Sequence, residues 1–338
     1  FRWPAVFDAG DIVPAPGDDA NALHETHRRI TETTAALLDA DLFPIAIGGG
    51  HDLTFPYVRA VAAKHKLKGQ TFAGVYFDAH LDVREAAGSG MPFRRLIEDC
   101  GAGPLMVVGY NALANAREHV NYFASTCDGR NVIADDDLPA RLDELSGPDQ
   151  LLEPLGHFDD LFCSFDMDVL DAAHAPGVSA LNPCGLSVRE AARMVFMVAG
   201  HPNLRCLDFM ELSPPYDHDG RTARVAAHLF LHALMGLRLG PLLAGHVQPQ
   251  RLFIDDDDAG AFRAPTGRIP GRPAANDQHD IGAGQSLVDI ETLVERMVGR
   301  KRPHVGGRRL DDRQRQRLGA GQPTSHRRRR TGSLRGPR

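Results

Sequence analysis

Cysteine is sparse and scattered in this chain. Its five cysteines (Cys100, Cys127, Cys163, Cys184 and Cys206) lie far apart and form no CxxC pair. That pattern argues against a disulfide framework or a zinc ribbon and fits a reducing cytoplasm. Long apolar runs are missing as well. No stretch approaches the roughly 18 residues that a membrane-crossing helix needs, and the first residues lack the charged-then-apolar layout of a secretory leader. A cytoplasmic protein with no membrane partner is therefore expected. The chain opens on Phe1 without a methionine, which fits a natural N-terminus further upstream.

What is present is ordinary globular material. With 338 residues, 43% of them hydrophobic and 24% charged, the chain can bury a core, and wholesale disorder is excluded. Charge is uneven. The first two-thirds carry acidic clusters such as Asp135-Asp136-Asp137, whereas the C-terminal stretch is basic and includes Arg327-Arg328-Arg329-Arg330. That basic tail has no interleaved aromatics and no recognisable binding motif, so no nucleic-acid partner is expected and it reads as an unstructured appendage.

Apolar periodicity predicts a helix over Ala22–Leu42, followed by a short strand, Phe43–Ile47, closed by Gly48-Gly49-Gly50. A helix over Pro56–His65 precedes a second apolar strand, Phe72–Phe77. Further strands are read at Leu105–Val108, Leu161–Phe165 and Leu204–Met210, with helices over Ser187–Ala199 and Thr222–Leu237. Ser187 and Glu190 have the spacing of a helix-capping box. Continuous apolar strands alternating with helices predict an α/β fold: three layers, a mostly parallel sheet with helices on both faces. The domain is placed at residues 1–239. Residues 240–338, where only Ser286–Met297 keeps helical periodicity, are read as a largely disordered extension carrying no chemistry.

Three polar segments each follow an apolar strand: Gly48-Gly49-Gly50-His51-Asp52, Asp78-Ala79-His80-Leu81-Asp82, and Asp166-Met167-Asp168-Val169-Leu170-Asp171. In extended chain alternate residues share a face, which would bring Asp78, His80 and Asp82 together, and likewise Asp166 and Asp168. Working residues of a parallel sheet gather beyond the carboxyl ends of its strands. Four carboxylates collected there would repel one another unless a cation compensated them. Carboxylates with two imidazoles suit a borderline-hard ion such as Mn²⁺, and thiolate-rich zinc chemistry has no support. Singly, each motif is most often a polar loop or a turn; the three in order carry the metal reading.

The set GGGHD, DAHLD and SFDMD, followed by Asp171 and Ala175-Pro176-Gly177, resembles the ureohydrolase family of arginases, agmatinases and formimidoylglutamases, over about Asp8 to Leu237. The resemblance implies two Mn²⁺ ions held by His51, Asp78, His80, Asp82, Asp166 and Asp168, with Asp78 and Asp166 shared. It implies an activated water that attacks an sp² carbon, Asp82 passing a proton to the leaving amine, and Asp171 as support behind the ligands. Glu211, in Met210-Glu211-Leu212-Ser213, is similar to the family's acidic residue that meets the cationic end of the substrate.

Within the family, Ser89 in Gly88-Ser89-Gly90-Met91-Pro92-Phe93 stands where arginases and agmatinases usually carry histidine. The segment is similar to that of formimidoylglutamases, which convert N-formimino-L-glutamate to glutamate and formamide. Arg94, Arg95 and Asn111 are candidate contacts for such a small dicarboxylate substrate. An agmatinase or guanidino-acid hydrolase that releases urea is the alternative, and a non-catalytic arginase-fold scaffold is a rival of a different class. The family also implies a homo-oligomer, and a strand and helix ahead of Asp8 that this chain lacks.

Overall fold

The computed structural model describes residues 3–66, 70–127, 131–134 and 147–243. The extension beyond residue 243, the helix read over Ser286–Met297, the basic tail and the Asp135–Asp137 cluster all lie outside the described residues. Among these residues six strands form one sheet: β1 (Ile45–Ile47), β2 (Phe72–Phe77), β3 (Leu105–Tyr110), β4 (Val132–Ala134), β5 (Asp160–Asp166) and β6 (Leu204–Met210). Their order is β1-β6-β5-β2-β3-β4 and every pairing is parallel. The sequence's reading of a mostly parallel three-layer α/β fold matches this arrangement.

Alternation along the strands divides the core in two. Ala73, Val75 and Phe77 of β2 join Leu161, Cys163 and Phe165 of β5 in one apolar layer. That layer is covered by α6 (Val188–Ala199) and α7 (Arg221–Leu243). Phe72 and Tyr76 face the opposite way, with Phe162 and Cys206. Against them pack α1 (Ala20–Asp39), α2 (Thr54–Lys66), α3 (Pro92–Cys100) and α4 (Arg117–Thr126). A short helix, α5 (Pro148–Leu152), leads towards β5. Gly74 has a specific role: a methyl there would collide with the Phe162 ring and come within 2.8 Å of Leu105 Cδ2.

Local chemistry accounts for the element ends. Asp19 caps α1 by accepting from Ala22 N at 2.8 Å. The Ser187/Glu190 capping box is formed in full at α6. β1 is shorter than the Phe43–Ile47 run because Asp41 adopts a left-handed φ of 60° and Pro44 has no N–H to give to a ladder. The last helix runs past the predicted Leu237 to Leu243, and α3, α4, β4 and α5 add elements that periodicity did not delimit. Among the described residues no helix is long and apolar enough to cross a membrane.

Chain order fixes where the site falls. From β2 the chain steps outward through β3 to β4, then returns to β5 and steps the other way to β6. Connections therefore diverge between the neighbouring strands β2 and β5, leaving a crevice at their carboxyl ends.

Candidate metal centre

Three loops converge on that crevice. After β1, a single helical turn carries His51; after β2 come Asp78, His80 and Asp82; β5 ends on Asp166, and the next turn carries Asp168. The extended-chain expectation for the two acidic segments is corrected here. β2 stops at Phe77, and the Asp78 carboxylate bends the chain by accepting from His80 N at 2.6 Å. Asp82 then takes a left-handed φ of 46°, which swings it back towards His51. Asp166 repeats the device, accepting from Asp168 N at 2.7 Å across a 3₁₀ turn. A short aspartate side chain that caps the amide two residues on is a turn former, and this preference overrides strand continuation.

One oxygen of each capping aspartate is thereby committed to the turn, and the other faces inward. His51 Nδ1 lies 3.2 Å from Asp78 Oδ2, 3.0 Å from Asp82 Oδ2 and 3.0 Å from Asp166 Oδ2. His80 Nδ1 lies 3.2 Å from Asp78 Oδ1 and 3.4 Å from Asp168 Oδ2. Two overlapping groups of potential ligands result, His51/Asp78/Asp82/Asp166 and Asp78/His80/Asp168, with Asp78 common to both.

Behind His51 a buried relay fixes the imidazole. Ser164 Oγ donates to Asp208 Oδ1 at 2.6 Å, and Thr54 Oγ1 donates to Asp208 Oδ2 at 3.0 Å. Burial raises the Asp208 carboxyl to about 6, eased by His51 and by these hydroxyl donors. It is thus an acceptor at neutral pH. With its proton given to Asp208, Ser164 accepts from His51 Nε2 at 3.0 Å. In that orientation His51 Nδ1, the nitrogen an ion would take, faces three carboxylates. Nδ1 of His51, Oδ2 of Asp78 and Oδ1 of Asp168 are buried without any hydrogen-bond partner. Acceptors that face acceptors in a buried space fit cations, and all six donors are hard or borderline in type.

Electrostatics point the same way. Burial lifts the Asp166 carboxyl well above the usual carboxylate range, with the charges of Asp168 and Asp78 adding to it. Burial and the Asp78 charge raise Asp82. Burial alone would lower His51, but contacts with Asp166, Asp78 and Asp82 outweigh it and drive the imidazole well up. His80 is pushed up to about 11 by Asp168 and Asp78. Without ions the cluster can neutralise itself only by holding protons.

The remaining candidates fall around this centre. Glu211 directly follows β6 with φ 61°; its amide donates to Gly49 O at 2.7 Å. One of its carboxylate oxygens accepts from His51 N at 2.8 Å and the other from Ser179 Oγ at 2.7 Å. It therefore clamps the His51 loop. Ser89 is exposed and lies against Gly50, where an added Cβ would be 3.7 Å from Ser89 Cβ. Arg94 bonds Glu98 through Nε at 3.0 Å and stacks on Tyr122, and Arg95 pairs with Asp99 at 3.4 Å. Asn111 caps its own turn at Leu113 N, and its amide donates to Ala79 O at 3.0 Å. Asp171 lies at the end of the third motif and accepts from Ala173 N.

Sequence reasoning passed over four contributors. Thr54, Ser164 and Asp208 form the relay, and Asn115 pins the Asp78–Asp82 bend by accepting from Leu81 N and donating to Ala79 O, each at 2.9 Å. A readable signal existed for one of them: Asp208 is a charged residue flanked by Leu207 and Phe209 within a mostly apolar strand, and a charge buried there must be paired.

The Arginase family model matches residues 1–236. The chain belongs to the arginase family. Formimidoylglutamase of Bacillus subtilis (strain 168) is 33% identical over 247 residues, spanning 70% of this chain and 73% of that protein. The crystal structure of the B. subtilis formimidoylglutamase superposes with a TM-score of 0.61 at 32% identity, over 69% of this chain and 72% of that one. A Trypanosoma cruzi formiminoglutamase structure with Mn²⁺ gives a TM-score of 0.57 at 28% identity, over 68% and 75%. The human mitochondrial guanidino acid hydrolase is 31% identical over 70% of this chain and 66% of that protein. The chain is an arginase-family hydrolase carrying a candidate site for metal at the centre of its sheet.

Proposed function

We propose that this protein is a manganese-dependent hydrolase that cleaves N-formimino-L-glutamate at its C–N bond, giving L-glutamate and formamide. One observation carries the reading: two overlapping groups of buried and half-buried carboxylates and imidazoles that share Asp78. Similarity to formimidoylglutamases supports the substrate, and the Mn²⁺ in the trypanosomal structure supports the metal. His51, Asp78, Asp82 and Asp166 would hold one ion, and Asp78, His80, Asp166 and Asp168 the second. When bound, such a pair of cations supplies an activated water near neutral pH.

The chain's own groups then divide the remaining work. Asp82 is the least enclosed carboxylate around His51, at 11% side-chain exposure. It can therefore reach from the buried cluster to a departing amine and deliver a proton to it. Ser164 and Asp208 hold His51 in one tautomer, Asn115 keeps the Asp78–Asp82 bend, and Glu211 fixes the loop that presents His51. Ser89, small and exposed beside Gly50, leaves room for a formimino group. We propose a homo-oligomer acting in the cytoplasm on a small molecule, with no nucleic-acid partner.

A guanidino acid as substrate is the second reading, favoured by the similarity to the human guanidino acid hydrolase. Product assays on Mn²⁺-loaded protein separate the two. Formamide from N-formimino-L-glutamate is the expected result; urea from 4-guanidinobutyrate or agmatine with no formamide would overturn the substrate assignment. Absence of any turnover together with unimpaired Mn²⁺ binding would favour a non-catalytic scaffold.

A further inference from the structure

The substrate proposed above is an anion, yet the centre that would receive it is ringed by carboxylates. A cation near its mouth has to meet the acid end. The two arginines that the sequence suggested are already engaged, Arg94 with Glu98 and Tyr122, and Arg95 with Asp99. Arg84 differs. Among the described residues it has no carboxylate partner, and its side chain is exposed.

Its place is built rather than incidental. Arg84 stands two residues after Asp82, and its amide donates to Gly90 O at 2.7 Å, closing the loop between them. Phe93 N donates to Asp82 O at 3.2 Å and tethers the far side, while the Phe93 ring meets the His51 imidazole edge-on at 5.1 Å. The Arg84 side chain lies along Gly90. A Cβ added there would sit 2.6 Å from Arg84 Cδ, 2.7 Å from Nε and 3.1 Å from Cζ, so only glycine leaves the guanidinium this position. Ser89, the next residue, packs against Gly50 just ahead of His51. A guanidinium with no carboxylate partner among the described residues is thus held in the loop that joins one candidate ligand to the neighbour of another.

We infer that Arg84 binds a carboxylate of the substrate and selects acids over amines; this rests on the proposed formimino or guanidino acid substrate. A guanidinium offers two parallel N–H donors to a carboxylate, a geometry an ammonium cannot reproduce. The group touches the substrate's far end and not the reacting carbon, so its removal should fall on KM and spare kcat.

The experiment compares Mn²⁺-loaded full-length wild type, Arg84→Met, Arg84→Lys and Gly90→Ala. Substrates are N-formimino-L-glutamate, 4-guanidinobutyrate and agmatine, which has no carboxylate, and L-glutamate binding is measured by calorimetry on the same proteins. Arg84→Met should raise KM for the acid about 10- to 100-fold, the scale of a charge-assisted pair, with kcat within about threefold. Arg84→Lys should fall between, Gly90→Ala should follow Arg84→Met, and L-glutamate affinity should drop in parallel. An unchanged KM for the acid and unchanged L-glutamate affinity in Arg84→Met would overturn the inference and leave the proposed reaction standing. Turnover of 4-guanidinobutyrate alone, with KM dependent on Arg84, would overturn the formimino assignment and uphold Arg84. Turnover of agmatine alone overturns both. If nothing is turned over, L-glutamate binding decides: weaker in Arg84→Met supports the inference, equal or absent in wild type overturns it.

Discussion

Replacing Ser164 by alanine tests the relay behind His51 most directly. The side chain is fully buried, and Oγ lies 3.0 Å from His51 Nε2 and 2.6 Å from Asp208 Oδ1. Alanine removes one oxygen and leaves the strand and its neighbours in place. It strands the His51 Nε2–H without an acceptor and reduces Asp208 to a single side-chain donor, Thr54. A buried polar group left unsatisfied costs about 1–3 kcal/mol. At about 2–4 °C per kcal/mol for a domain of this size, metal-free protein should melt some 2–12 °C lower. Loss of a hydrogen bond that orients a ligating imidazole typically weakens metal binding about 10- to 100-fold. Thermal unfolding in chelator gives the first quantity and calorimetric titration with Mn²⁺ the second. Should Ser164→Ala lose stability yet bind Mn²⁺ as tightly as wild type, the hydroxyl would be a packing element and the tautomer argument would be wrong.

Asp78→Ala, which removes the ligand common to both groups, should abolish Mn²⁺ loading and product formation together; undiminished metal stoichiometry by elemental analysis would break the ligand assignment. Each bound ion should stabilise the fold by about 2.7 kcal/mol at a hundredfold excess over its Kd, reversed by chelator in a thermal shift experiment. His80 carries the pH dependence. Its pKa in the ion-free fold is raised from 6.5 to about 11 by Asp168 and Asp78, so its contribution to ion-free stability is complete below pH 6.5 and is lost as pH climbs through about 11. A proton held there must leave when an ion takes the nitrogen, so Mn²⁺ uptake at pH 7 should release protons and tighten as pH rises; a binding enthalpy that is the same in buffers of different ionisation enthalpy would contradict this. Gly74→Ala forces a methyl into the Phe162 ring and should cost about 1–3 kcal/mol in denaturant unfolding, with no change in the metal affinity of the molecules that remain folded.

The fold was legible wherever burial alone dictates sequence. β2 is a continuous apolar run and β6 is mostly apolar, interrupted by Arg205 and Asp208, and their limits at Phe72–Phe77 and Leu204–Met210 are those that the pattern predicts. The α6 start was legible because Ser187 and Glu190 satisfy backbone groups by local rules. Elements such as α3 and α4 were harder to delimit: only a few of their residues, Phe93, Leu96 and Phe123 among them, are buried, so tertiary contact decides their limits. At the centre, the residue types and their order pointed to a cluster that could hold cations, and the fold brings those residues together. The local geometry did not follow from strand periodicity, because Asp78 and Asp166 cap the chain into turns. The relay of Thr54, Ser164 and Asp208 joins residues up to 154 positions apart, a pairing that no local pattern encodes.

The pairing of β2 with β5 sets a ruler. Phe77 is in register with Phe165; Asp166 is the last residue of β5, and Asp78 is the first residue after β2. The separation of the backbone at these two aspartates is thus set by the interstrand spacing of a sheet, about 4.8 Å. Backbone spacing is indifferent to side chains elsewhere, so the candidate metal centre and the proposed substrate-contacting rim can change independently. A lineage on this scaffold can exchange the loop between Asp82 and Gly90, keeping Asp82 itself, and meet a new substrate without recalibrating the centre. Relatives as different in name as a formimidoylglutamase and a guanidino acid hydrolase are what such modularity would leave behind. For an engineer the same feature marks out where to diversify and where to leave the chain untouched.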